Sequence, residues 1–272
     1  MAAAAYGKRG RAREPAAGTT GTERRAPRGR GRDGVRWNGV DFTVDGREPT
    51  TAEEFHRIGL HCWQDPRHRE AAAFFLEPAA RAGHAEAAEL LGHVLFSRGE
   101  YAAAAPWLRG SAGTSRRAAH YLGRLSYDGC PPAGITASYA DAAHWYREAA
   151  RLGEPEAMLA LGEMYLERLL PLTGAPVAHA LELFAAAAEL GHPYAQFRSA
   201  ELYRTDFAAP DPAARCYELC LANPATATHP LGSLMTQQSR WHLSHIRAAG
   251  DAERSGRERD RLHPRPPDEP RY

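Results

Sequence analysis

A short helical pattern returns five times along this chain, and its spacing limits what the chain can fold into. Ala118-x-x-x-Leu122-Gly123, Ala157-x-x-x-Leu161-Gly162-x-x-Tyr165 and Ala195-x-x-x-Ser199-Ala200-x-x-Tyr203 are copies of one half-unit. Ala142-x-x-Trp145-Tyr146-x-x-Ala149-Ala150-x-x-Gly153 is the other half. Residues four apart share a helix face, so each half-unit carries an apolar stripe. The small residue and the glycine after the leucine admit a neighbouring helix closely. The aromatic on the second helix fills the space between layers, so Trp145→Ala is expected to cost about 3–5 kcal/mol. The terminal glycine accepts the left-handed conformation that stops a helix. One such pair cannot cover its own apolar face, so pairs must stack.

The first-helix landmarks are Ile58-Gly59, Leu91-Gly92, Leu122-Gly123, Leu161-Gly162 and Ser199-Ala200. They recur roughly every 30–40 residues, the range of helical-repeat arrays. Second helices carry Phe74-Phe75, Trp107-Leu108, Trp145-Tyr146 and Leu183-Phe184. Each then runs into a small pair and a glycine: Ala79-Ala80 to Gly83, Ser111-Ala112 to Gly113, Ala149-Ala150 to Gly153, Ala187-Ala188 to Gly191. Abundant Ala and scarce Ile and Val agree with helix over sheet. The predicted fold class is all-α: a right-handed α-solenoid of about five helix pairs with disordered termini.

Composition sets the boundaries. Residues 1–48 form an Arg/Gly/Ala-rich leader with too few apolar side chains to offset its ordering entropy, and disorder is expected there. Thr51 followed by Glu54 is a capping box and marks where order begins. Residues 49–222 hold the repeats. Asn223-Pro224 is a breaker, and 223–248, with Leu231, Leu234, Met235, Trp241, Leu243 and Ile246, reads as a capping helix. Residues 249–272 are rich in charge and Pro and read as a disordered tail.

The alternating half-units resemble the Sel1-like repeat family, relatives of tetratricopeptide repeats. The family pattern is roughly A-x-x-x-L-G-x-x-Y-x-x-G, a variable loop, then A-x-x-W-Y-x-x-A-A-x-x-G. Ala118 to Gly153 and Ala157 to Gly191 follow it well, and the units near Ala87, Ala195 and Ile58 follow it in part. Leu95 and Ser126 replace the usual Tyr, and Leu169-Leu170-Pro171-Leu172 replaces a loop glycine. The resemblance implies a non-enzymatic adaptor or scaffold that binds a partner protein or peptide along the concave, first-helix face. The stretch Leu91-Gly92…Phe96…Gly99…Tyr101…Leu122-Gly123…Tyr127-Asp128-Gly129 is similar to the opening of lipoprotein-receptor-binding members of that family. That similarity implies a cytoplasmic adaptor on the tail of an endocytic receptor.

With Ala118, Leu122 and Leu125 turned to the core, His120 and Arg124 point away from it. The equivalent positions are Glu89 and His93, Leu159 and Glu163, Phe197 and Glu201. This mixed stripe suits a peptide with both apolar and charged anchors.

The pattern carries no catalytic signature. HExxH, Gly-x-Ser-x-Gly and the P-loop are absent, so no catalytic residue, cofactor or metal site is assigned. His56 and His61, like His84 and His93, lack the spacing that would bring them to one helix face. Such histidines read as solvated or capping residues. Glu53-Glu54 and Glu86-Glu89 fit helix starts or exposed faces, where they complement the dipole. Cys62, Cys130, Cys216 and Cys220 show no paired metal spacing and read as free thiols of a reducing compartment. A hydrolase is disfavoured, because the chain lacks the regular cysteine pairs of Sel1 proteins linked to β-lactams.

Gly29-x-Gly31-x-x-Gly34 matches a dinucleotide fingerprint by letter alone, with no strand before it and no helix after it. Arg28-Gly29-Arg30-Gly31-Arg32 resembles an arginine-glycine RNA-binding tail, which keeps an RNA-associated protein as the alternative. The net charge of +1 otherwise argues against nucleic acid. No apolar run reaches eighteen residues, so no membrane insertion is expected. The leader lacks the apolar stretch of a secretory signal, and its Gly and Pro content disfavours a mitochondrial one.

Overall fold

The computed structural model describes residues 34–37, 42–171 and 174–262. A short antiparallel hairpin, β1 (Val35–Trp37) and β2 (Phe42–Val44), precedes the helices. Five pairs follow: α1 (Ala52–Gln64) with α2 (Ala72–Arg81), α3 (Ala85–Ser97) with α4 (Tyr101–Ser111), and α5 (Arg116–Asp128) with α6 (Tyr139–Arg151). Then come α7 (Pro155–Leu166) with α8 (Pro176–Glu189), and α9 (Pro193–Thr205) with α10 (Pro210–Ala222). Short α11 (Pro224–Thr228) leads into long α12 (Gly232–Leu262).

Local chemistry accounts for the helix ends. The Thr51 hydroxyl accepts the Glu54 N–H at 3.2 Å, and the Glu54 carboxylate accepts the Thr51 N–H at 3.1 Å, which completes the capping box. The Ala-Ala-x-x-Gly signature proves to be a Schellman turn. Gly153 N–H donates to Ala150 O at 2.9 Å and Glu154 N–H to Ala149 O at 3.0 Å, with Gly153 at φ +81°. Ala187, Ala188 and Gly191, and Ala79, Ala80 and Gly83, repeat it. The residue after each glycine (His84, Glu154, His192) is already the N-cap of the next helix, so repeats follow one another with almost no linker. Gly113 departs from the expected pattern and lies outside the left-handed region. An extra residue, Thr114, separates it from the cap Ser115, and the turn closes through Ser115 N–H to Ser111 O at 2.8 Å.

Within each of the first four pairs a glycine on the first helix faces a large side chain on the second. Gly59 meets Leu76, Gly92 meets Leu108, Gly123 meets Tyr146 and Gly162 meets Phe184. In the fifth pair Ala200 holds the glycine position, and it shares a buried cluster with Tyr217. In the second, third and fourth pairs the wedge is thus the second residue of the tandem, and Trp107, Trp145 and Leu183 are only half-buried beside it. In the first pair it is Leu76, beyond the expected Phe74-Phe75; Phe74 is 72% exposed because its position on α2 faces away from α1.

Every helix packs on its sequence neighbour, and α1, α3, α5 and α7 also touch in succession. The second helices form no comparable succession among the described residues. The array therefore closes on the first-helix side and splays on the other, so the first helices line its inner face.

Both ends differ from expectation. Order begins before residue 49, because Val35, Phe42 and Val44 alternate in the hairpin and are buried. Phe42 sits edge-on to His61, His68 and Phe75, closing the open face of the first pair. At the other end α12 covers α10 with Met235 and Leu243, as a capping helix should. It then runs on to Leu262, beyond the expected limit of 248. Ion pairs one turn apart, Arg254–Asp251 and Arg257–Glu253, support this exposed extension.

Candidate functional site

The inner face carries the predicted stripe, but its two halves differ. Toward the C-terminal end the structure has already partnered it. Leu159 and Phe197 are each 8% exposed. Arg198 Nε and Nη2 donate to the two Glu163 oxygens at 2.7 and 2.8 Å, a two-pronged pair between α9 and α7. Glu201 accepts hydrogen bonds from the Tyr217 hydroxyl and from Arg204, and His242 of α12 approaches it at 3.6 Å. His120 is half-buried against Tyr121 and Tyr146, and burial pushes its imidazole down to about 4. Arg124 is exposed and lies over the Phe96 ring at 5.2 Å.

Toward the N-terminal end the face opens into a cavity of about 240 Å³ between α1, α3 and α5. Glu89 and His93, both in the predicted stripe, line it. Leu60, Tyr121, Ser115 and Arg117 join them there, none of which was singled out in the sequence. Leu108 and Ala118, both buried, form its apolar floor. Glu86, Glu89 and Arg117 supply charge at its rim. Ser115 caps α5 and also donates to Glu89 at 2.7 Å, fixing that carboxylate. Rings link the three helices in series: Trp63 to His93 at 5.1 Å, His93 to Tyr121 at 5.5 Å, and Tyr121 stacked on Phe96 at 4.0 Å. Burial lowers the His93 pKa, so this ladder is uncharged at neutral pH. The site offers one apolar recess with carboxylates on one side and a guanidinium on the other.

Ala118, Ala149 and Ala157 of the repeat pattern are buried, as are Leu122 and Leu161, and Tyr165 stands edge-on to His179. Histidine capping is also present, since His84 and His192 accept the N–H groups of Ala87 and Ala195 at 3.2 Å. All four cysteines are free thiols, and burial pushes Cys62 up to about 12. The Arg28-Gly29-Arg30-Gly31-Arg32 run of the leader and the 263–272 segment fall outside the described residues. Among the described residues no helix is long and apolar enough to cross a membrane.

The architecture is shared with a solved Sel1 repeat protein from Oxalobacter formigenes, at 18% identity and a TM-score of 0.55, over 73% of this chain and 88% of that one. A protective antigen of uropathogenic Escherichia coli displaying an SLR fold aligns at 22% identity and a TM-score of 0.49, over 76% of this chain and 50% of that one. No protein-family model matches the chain. No curated protein matches it either.

Proposed function

We propose that this chain, which has the fold of Sel1 repeat proteins, is a non-enzymatic scaffold that holds a partner protein by a short segment laid along its inner face. One observation carries the reading: the inner face is filled and ion-paired at one end, yet opens at α1, α3 and α5 into a recess with an apolar floor and a charged rim. A recess of that size takes one large apolar side chain, and Glu86, Glu89 and Arg117 are placed to read charges flanking it. The tail of an endocytic receptor is the partner we favour, on the sequence similarity of the opening repeats. We assign the action to the cytoplasm, where free thiols such as Cys62 and Cys216 are maintained.

The test pairs a groove variant with a control on the second-helix side. Leu60 and Arg117 are exposed, so Leu60→Asp with Arg117→Glu should leave the fold intact. Arg147→Glu, exposed on α6, serves as the control. Proteins captured by the wild type and the control, and lost from the groove variant, support the reading. Equal capture by all three removes the groove assignment. A receptor-tail peptide that binds the wild type and the groove variant alike removes it too.

A further inference from the structure

We propose that Glu53, His56 and His84 bind a divalent transition-metal ion of the zinc class, joining the first helical repeat to the second. Among the described residues these three form the one such group, with a carboxylate oxygen and two ring nitrogens all within 4.8 Å of one another. Glu53 and His56 lie three residues apart on α1 and so share a face. His84 caps α3, and the packing of α3 on α1 brings it across. Its Nε2 lies 2.9 Å from Glu53 Oε2, and the two imidazole centroids are 4.5 Å apart.

Two imidazoles and a carboxylate are a donor set that zinc takes, with three protein ligands and an open fourth position. Tetrahedral ligand atoms sit about 3.3–3.6 Å apart, so Glu53 and His84 must part slightly from 2.9 Å while separations of up to 4.8 Å close by roughly 1 Å. Glu53 is exposed, and a turn of its side chain away from the present bond to His84 supplies that movement. His56 is 8% exposed, so packing holds its ring in place against His84. Glu86 Oε2 lies 4.0 Å from His56 Nδ1.

A helix cap and one hydrogen bond account for His84 and Glu53 by themselves. They give no reason for a second, buried imidazole set against the first. Metal capture also has a proton consequence. His84 Nδ1 accepts the Ala87 N–H at 3.2 Å, so the neutral ring carries its proton on Nε2. Ligation at Nε2 moves that proton to Nδ1, and Ala87 loses its acceptor. Binding is therefore linked to the cap of α3. Since His56 and Glu86 also line the inner-face cavity, the ion would stand at its rim.

The experiment uses the full chain, stripped with EDTA and titrated with Zn²⁺ against a chromophoric chelator. Co²⁺ is used in parallel, because its visible absorption reports tetrahedral coordination. The wild type should take up one ion per chain at this site and melt at a higher temperature with it. His84→Ser keeps a cap acceptor for Ala87 but removes a ligand, while His56→Gln and Glu53→Gln leave the cap alone. Each should weaken uptake by about 10- to 100-fold or more, the loss expected for damage to a metal site, and abolish the rise in Tm. The chain has thirteen histidines, so binding elsewhere needs this control. Equal uptake by the wild type and all three variants overturns the site, as does a wild type that takes up no ion.

Discussion

The ring of Tyr146 covers Gly123 so closely that a Cβ on the glycine would lie 2.5 Å from the ring's Cδ1 and Cε1. Gly162 stands in the same relation to Phe184, again at 2.5 Å. Alanine is the better helix former by about 1 kcal/mol. Overpacking a filled site costs about 1–3 kcal/mol, and Tyr146, at 4% exposure, has little room to retreat. Gly123→Ala should therefore lower stability by about 1–2 kcal/mol in urea unfolding. A variant as stable as the wild type would show that the wedge yields freely.

The tandem Trp145-Tyr146 divides unequally. Tyr146 is the wedge, and Trp145 is half-buried beside the loop after α5. Tyr146→Ala should cost about 3–5 kcal/mol. Trp145→Ala should cost about half as much, less than its sequence position implied. Denaturant midpoints of the two variants decide the matter, and the reverse ranking would mean that α6 is rotated from the register described.

Arg168 follows α7 with φ +58°, a left-handed conformation that costs an arginine and not a glycine. It stands three residues after Tyr165, where the repeat pattern has glycine. Its N–H donates to Tyr165 O at 3.1 Å, and Leu169 N–H to Met164 O at 3.0 Å, the Schellman geometry again. The side chain is exposed. Arg168→Gly should raise stability by about 0.5–1 kcal/mol, and calorimetry should show a higher Tm. A fall would mean that the arginine side chain makes a contact worth more than the backbone relief.

His120 predicts sensitivity to acid. Desolvation holds its pKa at about 4 in the folded protein, against 6.5 for the free group; Glu156 partly opposes this and Arg124 adds to it. The unfolded chain binds the proton first, so stability is complete above pH 6.5 and falls as pH drops toward 4. The loss from this residue is about 2–3 kcal/mol at full effect. His56, His93, His192 and His242 are shifted the same way, mainly by burial, and deepen it. The midpoint of urea unfolding, followed from pH 7.5 to 4.5, should drop steadily. A flat profile would mean that these rings are solvated.

Glu154 acts in the opposite sense. It caps α7 without a side-chain cap bond, is 7% exposed, and has Arg116 Nε at 3.3 Å. Burial and the neighbouring Glu156 carboxylate push it up to about 7 from 4.5. The folded chain then holds the proton that the unfolded chain gives up, so this group's contribution is full below pH 4.5 and lost as pH rises through 7. Glu154→Gln should therefore be more stable than the wild type by about 1 kcal/mol at pH 8. The two should converge near pH 4.5. A less stable variant at pH 8 would show that the Arg116 pair outweighs the burial.

The sequence by itself determined the helices, their pairing and their ends. Thr51 with Glu54 and the Ala-Ala-x-x-Gly turns act within a few residues, so their meaning survives without knowing what lies opposite. It also placed Glu89 and His93 on the inner face. Tertiary structure alone decided the rest, because those outcomes depend on contacts between repeats. Which of Trp145 and Tyr146 wedges against Gly123 turns on the rotation of α6 about its axis, and a tandem leaves that undetermined. The closure of the stripe by Arg198 on Glu163, and by Tyr217 on Glu201, requires partners 35 and 16 residues away. His56 and His84 lack the spacing of one helix face and meet only because α3 packs on α1. The hairpin at Val35 and Phe42 is ordered by the open face of the first pair, a surface that exists only once the helices have stacked.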